Sequence, residues 1–502
     1  MQISVIYCNG REVVINMKKP VFFDETGKRW FKIKIFILLI CAAFLICEIM
    51  IYKDLNSPFI QVMLANFFNL LKNIFLIYLI LAIAFGFLRF MILMFFSRRQ
   101  WKRSRKTHEQ EEINSKLFDR LIAYFPYIHS PKTKQEIESE LRECLEIHRP
   151  SVSVVIPVYN EEAVIKKTVT ALLQSRYLIT EILVIDDGST DRTAAIVMEE
   201  FSGNPIVKLI KKENSGKSSA LNTGFQLAHS DIVVTIDADT VFAKDTITHL
   251  VTHFKDPKVG AVAGNCKVGN IRNQLTLWQH IEYVIANNLD RRACDELNCM
   301  TVVPGSNSAW RKSVVKDIGY FDHDTLAEDT DLTIKVLNAG YKVVYDERAI
   351  SYEECPENTK NFLKQRFRWS YGILQSLYKH RKNILTSKNK MVKHYSASML
   401  IVYLLHLTVP LIDFLFIVAL ISGSKSIFLF VLFFYLTDLL APLYSFRLER
   451  EKMKPLLWVV VQRLAYRYLL AFITWKTVII ALKGSNVGWN KIDRSGNNSF
   501  RS

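Results

Sequence analysis

The chain has 502 residues, a mean hydropathy of +0.12 and 50% hydrophobic residues, yet 23% of it is charged and the formal net charge is +17. That balance excludes a fully disordered, collagen-like or disulfide-scaffold protein. Apolar and charged residues sit in separate segments, with long apolar stretches at both ends of a central region of mixed composition, the pattern of a membrane protein with a large soluble domain.

Residues 1–34 read as a basic cytoplasmic leader with Lys18, Lys19, Lys28, Arg29, Lys32 and Lys34. Residues 35–96 are expected to hold two transmembrane helices, one over Ile35 to Tyr52 and one most convincingly over Ile74 to Phe96. No small-residue cleavage site follows the first stretch, so it reads as an anchor. Ser97 to Lys106 then carries six Lys/Arg and no acid, and Lys379 to His394 carries six more. Both runs border apolar segments. Under the positive-inside rule they argue for a cytoplasmic N-terminus and soluble domain and against a nucleic-acid partner. Residues 97–150 read as a basic, helical connector.

From residue 151 to about 350 short apolar runs alternate with helical patterns. Val152 to Val158, Glu181 to Asp186, Ile206 to Ile210, Ile232 to Ile236 and Gly260 to Ala263 read as strands. Glu161 to Gln174, Asp191 to Phe201, Ser218 to Ala228 and Ala243 to Phe254 read as helices. This repetition predicts βαβ units and a parallel sheet, with ligands bound beyond the carboxyl ends of its strands. Residues 351–395 follow as interface helices around Tyr352 to His380. Residues 396–482 hold two or three spans: Ser396 to Ile421, Ile427 to Phe446, and Leu456 to Leu482. Arg463, Arg467 and Lys476 leave the last one open between a span facing a polar cavity and a helix lying at the interface. A tail of 483–502 ends the chain. The eight cysteines form no C-x-x-C pair, so a reduced domain without structural metal is expected.

Three predicted strand ends carry polar groups: Tyr159-Asn160-Glu161-Glu162, Asp186-Asp187-Gly188-Ser189, and Asp237-Ala238-Asp239. Any one alone is a turn or N-cap sequence. Together at one crevice they suit a divalent cation, Mg²⁺ or Mn²⁺, held by one or two carboxylates and completed by phosphates. Gly216-Lys217-Ser218 imitates the end of a P-loop, but Lys211 stands where its first glycine belongs, so a nucleoside triphosphatase is excluded. Glu328-Asp329-Thr330-Asp331 opens a predicted helix, and Gln365-Arg366-Phe367-Arg368-Trp369 follows it.

The series of Asp186-Asp187-Gly188, Asp-x-Asp at 237–239, Glu-Asp at 328–329 and Gln-x-x-Arg-Trp at 365–369 resembles the processive, membrane-integrated family 2 glycosyltransferases. These include cellulose, chitin, hyaluronan and poly-β-1,6-N-acetylglucosamine synthases. The wider match favours the last branch through Gly264-Asn265, Trp278 to Tyr283, Asn298 to Arg311 and the tail Ala481 to Gly484 with Gly488 to Lys491. Ala327 stands where the family usually has Thr. The resemblance implies a GT-A α/β domain, Rossmann-like with a mostly parallel sheet, inserted between transmembrane α-helices of a multi-pass cell-membrane protein. It implies a UDP-sugar donor, N-acetylglucosamine by the nearest branch, and a growing polysaccharide as acceptor. Tyr159, Glu161, Asp186 and Asp187 would hold the uridine and Lys217 would lie near the diphosphate. Asp237 and Asp239 would bind the metal, with Asp237 also touching donor. Asp329, beside Glu328, would be the general base, and Gln365, Arg368 and Trp369 would bind acceptor. A hyaluronan- or chitin-type product stays open, as does a non-processive enzyme acting on polyprenyl phosphate.

Overall fold

The computed structural model describes residues 58–123, 134–144, 148–300, 302–386 and 425–485, two strands near the N-terminus, and isolated positions elsewhere. Apart from the isolated positions Ile35, Leu38 and Leu407, the expected spans at Ile35 to Tyr52 and Ser396 to Ile421 lie outside the described residues. The chain divides into two compact units: Met1–Ile92 with Met399–Ala441 and Val460–Trp489, and Leu93–Ser398 with Pro442–Val459 and Asn490–Ser502.

In the first unit, β1 (Ile3–Cys8) and β2 (Arg11–Asn16) form an antiparallel hairpin in which Ile3 faces Asn16. The expected Ile74 to Phe96 span falls inside α1 (Pro58–Ala123), a 66-residue helix that carries the polypeptide on into the second unit. The basic run Ser97 to Lys106 is therefore helical, continuous with the apolar segment before it.

The second unit is built on an eight-stranded sheet. Its strands are β3 (Val152–Val158), β4 (Glu181–Asp186), β5 (Val207–Lys211), β6 (Ile232–Thr235), β7 (Thr240–Phe242), β8 (Val259–Val268), β9 (Ser308–Arg311) and β10 (Lys342–Glu353), in the order β5-β4-β3-β6-β9-β8-β10-β7. The β5-β4-β3-β6 and β8-β10 pairings are parallel, while β9 and β7 run antiparallel to their neighbours. Six strands thus share one direction. The sheet is mostly parallel, as the α/β GT-A expectation requires.

Strands β3 and β4 are buried on both faces, which is why they read as largely apolar runs rather than as alternating ones, with polar residues only at Ser153 and at the β4 ends Glu181 and Asp186. Their period of two still sorts the side chains. Val154, Ile156, Ile182 and Val184 enter one core with Ile165 and Val169 of α2 (Ile165–Leu173) and Val197 of α3 (Thr193–Phe201). Val155, Leu183 and Ile185 enter the other, with Leu221 and Phe225 of α4 (Lys217–Leu227). Gly224 of α4 has to lack a side chain, because a Cβ there would stand 2.3 Å from Val155 Cγ1.

Further along come α5 (Thr246–Val251), α6 (Gln274–Ile285), α7 (Glu328–Asn338) and α8 (Thr359–Thr386). Tyr352 and Glu353 correct the expectation of helix from Tyr352 onward. They end β10, paired with Lys267 and Val268 of β8, and the helix begins only at Thr359. The sequence of β10, Lys342 to Glu353, mixes charge into its alternation, and its pairing partners lie some 80 residues away. After the sheet domain, α9 (Lys425–Glu449) and α10 (Val459–Lys483) cover the expected Ile427 to Phe446 and Leu456 to Leu482 segments. Among the described residues, one helix segment, Ala465–Lys483, is long and apolar enough to cross a membrane.

Candidate active site

The chain runs β3 to β4 to β5 in one direction across the sheet and then returns to β6 on the other side of β3. Such a switch point opens a crevice at the carboxyl ends of the strands. The three polar loops predicted from the sequence end there, and they are tied together. Asn160, in the left-handed region at φ 55°, accepts from the Thr190 amide at 2.7 Å and so joins the loop after β3 to the loop after β4. Gly188, at φ 80°, admits the next loop: a Cβ there would stand 3.0 Å from the Asn214 amide nitrogen. Asp187 fastens that loop. Its Oδ2 accepts from the Gly216 amide at 2.7 Å, and its Oδ1 accepts from Ser215 at 3.1 Å and from Lys212 Nζ at 2.5 Å. Asp186 serves the turn itself, accepting from the Ser189 amide at 2.8 Å.

The fastened loop delivers Lys217, the first residue of α4. Its Nζ lies 2.6 Å from Asp237 Oδ1 and 3.2 Å from Glu328 Oε1. Burial alone would depress the Lys217 pKa, but Asp237 and Glu328 outweigh it and hold the ammonium firmly protonated. Beside Glu328, Asp329 opens α7, where the first-turn amides face it. It accepts from the Thr330 amide at 2.7 Å and from the Gly305 amide at 3.4 Å. Burial first, then the neighbouring Glu328, raise the Asp329 carboxyl to about 6; Lys217 and the two amides pull the other way. Carboxylates raised toward neutrality by burial and a like charge are what proton-abstracting sites use.

Lys217, Asp237, Glu328 and Asp329 line one cavity together with Gln365, Arg368 and Trp369 of α8. Its volume is about 230 Å³. Seven of the residues singled out in the sequence, from four separate elements, thus share one wall. Tyr159, Glu161, Asp186, Asp187 and Asp239 are not among its lining residues. Glu161 donates its amide to Thr193 Oγ1 at 2.7 Å, and Asp239 is 7% exposed, with the Thr240 hydroxyl 3.3 Å from its Oδ1.

The cavity also uses residues to which the sequence reading gave no role. Arg366 is buried, sits 4.5 Å over the Trp369 ring and pairs with Glu282 at 2.7 Å. Tyr283, Arg291 and Ser306 complete the far wall. The signal was present. Arg366 lies three residues before Trp369, which on a helix puts the two side chains side by side. Glu282 and Tyr283 lie in a segment that carried the resemblance. Arg291 closes a π-helical turn, Ala286–Arg291, a distortion frequent at functional sites and invisible to a pattern of apolar residues.

Residues 153–319 match the family described as Glycosyl transferase family 2. The chain contains a family 2 glycosyltransferase domain. Over 251 residues, 48% of this chain and 60% of the relative, it is 36% identical to the probable glycosyltransferase YdaM of Bacillus subtilis. Over 222 residues, 44% of this chain and 54% of the relative, it is 33% identical to the poly-beta-1,6-N-acetyl-D-glucosamine synthase of Staphylococcus aureus. The chain therefore spans rather more than half the length of these curated relatives. Among solved structures, a mannosyltransferase from Pyrobaculum calidifontis in complex with GDP-Man and Mn²⁺ aligns with a TM-score of 0.45 at 18% identity, covering 78% of this chain and 99% of that one. TarS 1–349 of S. aureus in complex with UDP-GlcNAc aligns with a TM-score of 0.34 at 19% identity, covering 47% and 67%.

Proposed function

We propose that the protein is an inverting, processive glycosyltransferase that polymerises a UDP-activated sugar, UDP-N-acetylglucosamine, into a β-linked polysaccharide and passes it across the membrane. The observation that carries this reading is the single cavity whose wall combines a fixed cation at Lys217, a carboxyl raised to about 6 at Asp329, and the Trp369 ring. Glycosyl transfer needs those three things: charge stabilisation for a departing diphosphate, a base for the incoming hydroxyl, and an apolar face for a sugar ring.

In this reading the donor's reacting end enters the cavity. Its volume is below the roughly 300–1,000 Å³ typical of pockets that enclose a whole ligand, so the uridine lies outside it, toward Tyr159, Glu161 and the Asp186-Asp187 loop. Asp237, which lines the cavity, and Asp239, buried two residues further on, would hold Mg²⁺ or Mn²⁺; hard carboxylate oxygens whose shell a diphosphate can complete fit such an ion. When bound, that ion supplies Lewis-acid stabilisation of the leaving diphosphate. Lys217 adds a positive charge on the same side. Asp329 takes the proton from the acceptor hydroxyl as its oxygen bonds to the anomeric carbon. The bond from that carbon to the diphosphate breaks, and UDP leaves with the electron pair. One displacement inverts the anomeric centre. Gln365, Arg368 and Trp369 orient the acceptor, the ring of Trp369 stacking on the terminal sugar, and Arg366 and Glu282 hold that ring in place.

Membrane passage is supported by the helix segment Ala465–Lys483 and the basic runs beside the apolar segments. The N-acetylglucosamine assignment is supported by the name of the S. aureus relative. The testing experiment incubates membranes containing the full chain with a panel of radiolabelled UDP-sugars and digests the product with linkage-specific glycosidases. A long product cut by a β-1,6-N-acetylglucosaminidase is expected. A short product extracted into chloroform–methanol would instead indicate transfer to polyprenyl phosphate.

A further inference from the structure

Helix α8 does not end its work at Trp369. Gln365, Arg368 and Trp369 face the cavity, and the same stripe continues down the helix through Gly372, Gln375 and Lys379, at the spacing that keeps residues on one face. Each of these three touches the segment that carries Asp329. Gly372 packs so closely on Ala327 that a Cβ would stand 2.5 Å from its amide nitrogen. Gln375, 2% exposed, accepts from the Leu326 amide at 3.0 Å. Lys379 Nζ reaches Asp331, two residues beyond Asp329, at 2.9 Å, and also Asp322 and Asp324, each at 2.6 Å. His380 Nε2 meets Asp331 Oδ1 at 2.7 Å. Asp331 itself is fully buried.

These contacts form a rigid connection in register. We infer that Gly372, Gln375, Lys379, His380 and Asp331 are positioning residues: they fix the distance between the acceptor-holding end of α8 and the Asp329 carboxylate. The inference rests on the glycosyltransferase reading. A buried carboxylate met by a lysine and a histidine from another helix is costly to break from one side, and a small misplacement of acceptor against base lowers the rate steeply while leaving donor binding alone. Lys335, within α7, also meets the Asp322-Asp324-Asp331 group, 2.9 Å from Asp322 and 3.8 Å from Asp331. Lys379 is the cation that comes from α8 and touches all three carboxylates, so they anchor α8 to the Asp329 helix.

The test compares wild type with Gly372→Ala, Lys379→Met and Lys379→Arg in membranes holding the full chain. It measures sugar incorporated, UDP released and the KM for the UDP-sugar. Sugar transfer is expected to fall by about 10²-fold in Gly372→Ala and Lys379→Met, in keeping with an ångström-scale misplacement. The donor KM should stay put, UDP release should outrun sugar incorporation, and Lys379→Arg should restore most of the transfer. Wild-type transfer and coupling in both Gly372→Ala and Lys379→Met would overturn the inference. So would a donor KM that worsens in step with the rate, since a merely structural role does that. Absence of any sugar transfer by the wild type would take down the glycosyltransferase reading, and this inference with it.

Discussion

Lys217 Nζ lies 2.6 Å from Asp237 Oδ1, so the carboxylate at the cavity edge already faces a positive charge. Two cations cannot share that oxygen cheaply, so if Asp237 holds a divalent ion, as the proposed function has it, Lys217 would be released to face the diphosphate. Lys217→Met is therefore expected to bind Mn²⁺ more tightly than wild type in the absence of nucleotide and to transfer sugar more slowly, by about 10²-fold for one lost electrostatic contact to the leaving group. Titration calorimetry with Mn²⁺ alone reads the first effect and labelled-sugar incorporation the second. Chelation with EDTA should stop transfer in both proteins, and added Mg²⁺ or Mn²⁺ should restore it.

Asp187 binds the loop that carries Lys217, through two backbone amides and the Lys212 ammonium, and is 4% exposed. Asp187→Asn turns one acceptor oxygen into a donor that confronts those N–H groups, an unmet buried hydrogen bond costing about 1–3 kcal/mol. The Lys212-to-Gly216 loop should loosen. The expected result is a donor KM raised roughly tenfold or more with a smaller change in turnover, read by UDP-sugar saturation curves.

Trp369 and Arg366 should separate chain length from single transfers. Trp369→Ala removes the ring proposed to stack on the acceptor sugar, and Arg366→Met removes the guanidinium packed 4.5 Å over that ring together with its pair to Glu282. The pair is only partly buried, with 29% of the Glu282 side chain exposed, and losing the guanidinium weakens the charge balance at Glu282, so Glu282→Gln in the Arg366→Met background should recover part of the loss. Shorter products on a sizing gel are expected for Trp369→Ala and Arg366→Met, and longer ones for the double variant than for Arg366→Met alone.

Gly264 on β8 is a stability test. A Cβ there would stand 2.4 Å from the Asn307 side chain, whose Nδ2 donates to Ala349 O at 2.8 Å and Ser351 Oγ at 2.9 Å and so links β10 to the β8-β9 region. Gly264→Ala forces that amide out of place, an overpacking cost of about 1–3 kcal/mol. The melting temperature should fall by several degrees, followed by circular dichroism.

Much of this architecture was legible because the informative strands are local in their signal. The limits of β3 and β4 could be read from Val152 to Val158 and Glu181 to Asp186 alone, since two buried faces leave only Ser153 inside one apolar run and Glu181 and Asp186 at the ends of the other. The Val207–Lys211 strand shifted by one residue, a boundary effect. β7, β9 and β10 escaped, since they exist only through pairing with distant segments: Ser308–Arg311 lies between β6 and β8, and Thr240–Phe242 on β10. At the site, the charged residues could be named because their chemistry is unusual in such company. What each carboxylate does could not. Asp186 and Asp187 are neighbours of one type, yet one closes its own turn and the other holds a loop 25 to 29 residues on. Arg366 was hidden between two motif residues, its meaning dependent on which face of α8 meets Glu282.

The pH dependence of transfer tests the base assignment most directly. Asp329 must be ionised to accept a proton, and its carboxyl is raised to about 6 by burial and then by Glu328, against the pull of Lys217. The rate should therefore rise with pH through about 6 and level off above it. The neighbours then predict shifts of opposite sign. Glu328→Gln removes a like charge, stabilises the Asp329 carboxylate and should move the acidic limb to lower pH. Lys217→Met removes an opposite charge and should move it to higher pH, on top of its lower plateau. Asp329→Asn should abolish transfer at every pH while UDP binding, followed by calorimetry, survives. A limb that stays near pH 6 in both Glu328→Gln and Lys217→Met would assign the titration to some other group, and residual pH-dependent transfer in Asp329→Asn would remove Asp329 from the proton transfer altogether.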